Sequence, residues 1–128
     1  MRSRDGANSA RLADAAVTQW RAIDAALAPI IGGAGVAALY HRSLHLSLPA
    51  HPWLEHERSA DIQQMDLPSL RAVLSARPPA EVSEASATLF RTFRDLLASL
   101  VGAPLAERLL GPLWSQLPSS TAGQDTPP

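Results

Sequence analysis

The stretch Ala85–Leu113, ASATLFRTFRDLLASLVGAPLAERLLGPL, leaves few options for a fold. Leu89, Phe93, Leu96 and Leu100 recur at spacings of 4, 3 and 4, which lays them along one side of a helix. Phe90, Leu97 and Val101 form a second apolar row beside the first. Gly102 suits a helix stop and Pro104 the first turn of a new helix, so the segment reads as a long helix, a corner and a shorter helix. Leu105, Leu109 and Leu113 carry the apolar stripe onward.

The rest of the chain repeats this grammar. Leu12, Ala16, Trp20, Ile23, Leu27 and Ile30 predict a first helix, with Asn8 or Ser9 as its cap and Pro29 as the point where it kinks or ends. Gly32-Gly33 breaks the pattern, and a second helix runs from about Ala34 to Leu46. On it Val36, Leu39, Tyr40, Ser43 and Ser47 point one way, and His41, Arg42 and His45 the other. Both prolines of Leu48–Trp53 oppose regular helix. Asp66 caps a short third helix ending near Ala76, with Leu67, Leu70, Val73 and Leu74 inward. Pro79 opens the fourth helix, with Glu81 and Glu84 near its positive end. No sustained period-2 alternation occurs, so no strand is expected.

The expected fold is therefore all-α: a bundle of four main helices plus a short fifth, with Gly and Pro corners and disordered tails. Residues 1–8 are polar and read as a flexible N-terminal tail, residues 9–117 as one domain, and 118–128 (PSSTAGQDTPP) as a disordered tail with nothing to bury. A chain of 128 residues holds a real core without covalent staples.

The absence of cysteine excludes disulfides and thiolate sites and fits a reducing cytoplasm. All 11 basic residues are arginine, dispersed among acids at a formal net charge of −1, so no nucleic-acid footprint is present. This Arg-for-Lys bias suggests a GC-rich bacterial gene. The uncharged run Ala25–Tyr40 is 16 residues long and interrupted, short of the ~20 that a spanning helix needs, so no membrane insertion is expected. MRSRDGANS is not followed by an apolar signal region.

PIIGGAGVAALYHRSL near residue 30 and SLVGAPLAERLLGPLW near residue 100 share an order: helix, β-branched residue, glycine, small residues, short apolar helix. That order admits an ancient duplication. The plainer reading is that any helix–glycine–helix corner looks this way, and it is preferred here.

All four histidines fall between residues 41 and 56. His41 and His45 share a helix face at i, i+4, where two imidazoles can hold one divalent metal ion, with His51, Glu55 or Glu57 completing the set. A solvated helix face with spectator histidines is the favoured alternative, and no cofactor is expected. An exposed histidine in mid-helix also resembles, in coarse outline, the histidine phosphotransfer domains, which would make His41 a phosphoacceptor. Their motif places Lys and Gly after that histidine; here Arg42-Ser43-Leu44 follows His41, and Leu46-Ser47-Leu48 follows His45. Trp20, Trp53 and Trp114 suit core packing better than a ligand cavity.

Enzymatic motifs are lacking: GGAG at 32–35 is neither a dinucleotide nor a phosphate loop. The favoured reading is a non-enzymatic protein–protein interaction or signalling module. Its fourth and fifth helices carry more apolar surface than one small bundle needs. Phe90, Leu97, Val101, Leu105 and Leu109 are the expected seam, and a homodimer its simplest use.

Overall fold

Two glycines turn this chain back on itself. Gly32 (φ 86°, ψ 150°) and Gly102 (φ 97°, ψ 145°) hold a backbone conformation that residues with a Cβ rarely adopt. Each ends one helix and starts another. The chain order is α1 (Arg2–Ile31), α2 (Gly33–Ser47), a 3₁₀ turn (Pro52–Glu57), α3 (Leu67–Ser75), α4 (Pro79–Val101) and α5 (Ala103–Trp114). The computed structural model describes residues 2–57 and 65–114, and among these there is no strand. The expected all-α bundle is what forms, with α3 its shortest helix. The expected tail at 118–128 lies outside the described residues.

Local chemistry accounts for the helix ends. Asp66 caps α3: its Oδ1 accepts from the Ser69 backbone N–H at 3.2 Å and its Oδ2 from the Ser69 hydroxyl at 2.9 Å. Pro79 opens α4, where its missing N–H costs no helical bond. Both corners close alike. Gly32 donates to the Ala28 carbonyl and Gly102 to the Ala98 carbonyl, each at 2.8 Å. The next helix then starts with Val36 donating to Gly32 at 3.1 Å and Ala106 to Gly102 at 3.0 Å.

α1 differs from expectation at both ends. It begins at Arg2, upstream of the expected cap and within the stretch read as a tail. Ser9 does not cap it, because its hydroxyl is engaged elsewhere, donating to the Arg77 carbonyl at 2.6 Å. Pro29 does not end α1, which continues to Ile31. The bond Pro29 removes would fall on the carbonyl of Ala25, an exposed residue within reach of water.

The core gathers around Trp20. Its indole meets the edge of Tyr40 at 5.0 Å between ring centres, Phe93 at 5.1 Å, and the tilted ring of Phe90 at 4.8 Å. Ile23, Leu27, Leu44, Leu89 and Leu97 complete the layer, all fully buried. Each large apolar side chain so enclosed contributes about 1.5–3 kcal/mol. α1 touches all four other helices, α2 also packs on α4, and α5 on α4. Ala13 and Val17 are buried on α1, which packs extensively on α3, so its apolar sector is wider than one stripe.

α5 corrects the expected stripe. Its buried residues are Ala106 and Leu110, while Leu109 and Leu113 are half-buried and Leu105 is exposed. The corner at Gly102 sets the rotation of this helix, and that rotation brings Ala106 and Leu110 inward, one position on from the predicted line.

Candidate functional site

Two regions carry the candidate residues. On α2, His41 is half-buried with its ring edge-on to Tyr40 at 5.3 Å, and His45 is exposed one turn later. His51 turns the other way. It sits at the exit of α2, where its backbone N–H donates to the Ser47 carbonyl at 2.9 Å. Its side chain is buried, with Nε2 lying 3.5 Å from the Thr88 hydroxyl of α4 and the ring edge against Trp53 at 5.9 Å. Trp53 is in turn covered by the Arg77 guanidinium, 5.0 Å from its ring centre. Arg77 also pairs with Glu81 at 2.7 Å.

This geometry corrects the three-histidine expectation. Among the described residues no group of three His, Asp or Glu side chains converges on a metal position. The reason is the turn after Ser47. It carries His51 around the end of α2 into the packing between the 3₁₀ turn and α4, while His41 and His45 stay on the outer face. The side chains of Glu55, His56 and Glu57 lie outside the described residues.

The second region is the expected seam. Phe90 is only 5% exposed and Leu97 not at all; both belong to the chain's own core. They contribute nothing to an outer surface, and the seam is corrected to that extent. Helical spacing identifies an apolar face but not which neighbour covers it, and here α1, α2 and α5 all pack on α4. What remains open lies at the corner. Leu100 is 62% exposed and Leu105 37%, with Val101 and Leu109 half-buried beside them. The whole segment Leu96–Ala106 is free of charge. Arg94 borders it, within 3.7 Å of Glu107 and 3.6 Å of Asp95. Ile30, 52% exposed, was read as part of the inward stripe of the first helix, so the seam expectation missed it. Its place two residues before a corner glycine, like that of Leu100, was the signal that would have found it.

An open depression of about 380 Å³ lies between α1, the start of α2 and the start of α3, bordered by Arg21, Asp24, Ala34 and Met65. Trp20 lies in the core, as expected, and Trp53 packs under Arg77. The side chain of Trp114 lies outside the described residues. No helix among the described residues is long and apolar enough to cross a membrane. No family model, curated protein or solved structure matches this chain.

Proposed function

We propose that this chain is a non-enzymatic helical interaction module, associating with a second copy of itself through the α4–α5 corner as part of a bacterial regulatory or signalling assembly. One observation carries the reading. Leu100 and Leu105 project from an 11-residue stretch, Leu96–Ala106, without a charge. Large apolar side chains clustered in an uncharged patch mark contact surfaces more often than isolated ones do. The absence of cysteine suits a reducing cytoplasm.

The test is the mass of the protein in solution with Leu100→Glu and Leu105→Glu combined. Both positions are exposed, so the carboxylates reach water without disturbing the core. Light scattering is expected to show a dimer for wild type and a folded monomer for the variant. Equal masses for the two proteins would overturn the reading.

A further inference from the structure

We infer that the depression between α1, α2 and α3 is a binding site for a small zwitterion with an apolar side chain, a free α-amino acid, held between Arg21 and Asp24. The site lies apart from the α4–α5 corner and does not depend on self-association.

Asp24 supplies the first reason. Among the described residues three carboxylates are half-buried: Asp24, Asp66 and Glu81. Asp66 accepts from Ser69, and Glu81 pairs with Arg77. The Asp24 side chain has neither a hydrogen bond nor an ion pair, and the same holds for Arg21. Residues three apart on a helix are neighbours, so these opposite charges share one wall of the depression without pairing. A charge partly withdrawn from water with no partner is unfavourable, and a group that reaches it offsets that cost.

The second corner of the chain shows what is missing at the first. Arg94 lies eight residues before Gly102 and Glu107 five after it, and the two approach to 3.7 Å across the α4–α5 corner. At the same distances from Gly32 stand Asp24 and Ala37. The α1–α2 corner thus keeps a charge on the first helix but has a methyl group where the cross-corner partner would be. That short side chain, with Gly33 and Ala34 also on the α2 wall, leaves a depression of about 380 Å³ beside Asp24.

The lining selects the ligand. An anion alone would face Asp24, and a cation alone would face Arg21. An uncharged apolar molecule would cover Asp24 further with nothing to offset the loss of water. A molecule carrying both charges satisfies both walls. Its carboxylate takes the planar Arg21 guanidinium by two parallel hydrogen bonds, and its ammonium takes Asp24. The apolar part then lies against Met65 and the buried Ala37 and Leu67. Small-molecule sites span about 300–1,000 Å³. A depression at the lower end of that range suits an amino acid the size of leucine better than a nucleotide or a peptide.

Calorimetric titration of the full chain with L-leucine tests this. Saturable binding is expected, with a melting temperature that rises as leucine is added. N-acetyl-leucine lacks the ammonium and leucinamide the carboxylate; each should bind about tenfold more weakly. Asp24→Asn should erase the preference for the free ammonium, and Arg21→Gln the preference for the free carboxylate. Both side chains reach water, so both variants should keep the wild-type circular dichroism. Arg42→Gln, on the outer face of α2, should bind leucine as wild type does. No binding of leucine, equal binding of its two derivatives, or binding that survives both substitutions would overturn the inference. None of these outcomes bears on the dimer, whose own test is the mass of the Leu100 and Leu105 variant.

Discussion

Trp20 of α1 and Phe90 of α4 meet at 4.8 Å, ring centre to ring centre. Tyr40 and Phe93 complete the aromatic cluster, each meeting the Trp20 indole edge-on. The interior thus joins α1, α2 and α4, while Leu100 and Leu105 at the α4–α5 corner stay open.

Truncating this centre should be severe. Trp20→Ala removes a fully buried indole and is expected to cost about 3–5 kcal/mol, a large share of the 5–15 kcal/mol that stabilises a domain. Leu97→Glu places a carboxylate at a site with no exposure and should abolish the cooperative transition rather than yield a folded monomer. Urea denaturation followed by circular dichroism checks both.

The corner glycines should respond alike. Alanine at Gly32 or Gly102 faces open space, so the penalty is in the backbone alone: about 1–3 kcal/mol for each. Gly33→Ala is the contrast. It has ordinary helical geometry and nothing nearby, and should raise stability by about 0.4–1 kcal/mol by stiffening the unfolded chain. Thermal melts of the three variants make the comparison. A Gly102→Ala as stable as wild type would contradict the corner geometry.

Two serines of α2 predict opposite outcomes. The buried Ser43 hydroxyl donates to the Leu39 carbonyl at 2.8 Å, whereas the equally buried Ser47 hydroxyl meets no partner. Ser47→Ala removes an unpaired polar group and should hold or raise the melting temperature. Ser43→Ala should lower it slightly. Differential scanning calorimetry resolves the sign.

The sequence showed the helices well and their neighbours poorly, for a physical reason. Caps and breakers act within a few residues, so Asp66, Pro79, Gly32 and Gly102 announced their roles in the linear order. Ser9 did not, since its partner, the Arg77 carbonyl, is 68 residues away. The same limit applies to the seam. Phe90, Leu97 and Leu100 all sit on apolar rows of one helix, and only the packing of α1, α2 and α5 on α4 decides that the first two are buried and the third is open. His51 looked like a third ligand by proximity in sequence, and the turn after Ser47 carries it inward.

Acid should weaken one tie between α1 and α3. Arg71 donates to Asp14, and that hydrogen bond holds the Asp14 carboxyl below its ordinary value. The pair's contribution is therefore present at neutral pH and fades as pH falls through the lowered Asp14 value; Arg71, pushed upward, stays charged throughout. Both groups face solvent, so the effect is small and weakens in salt. Asp14→Asn should lower the melting temperature slightly near neutrality and flatten that acid limb of the profile, so that wild type and variant converge in acid.

Self-association through the α4–α5 corner requires that the wild-type chain form a dimer in solution. Sedimentation equilibrium of the wild-type protein tests it most directly. The expected result is a mass of twice 13.6 kDa that falls toward the single-chain value on dilution. A mass of 13.6 kDa held at every concentration would contradict it.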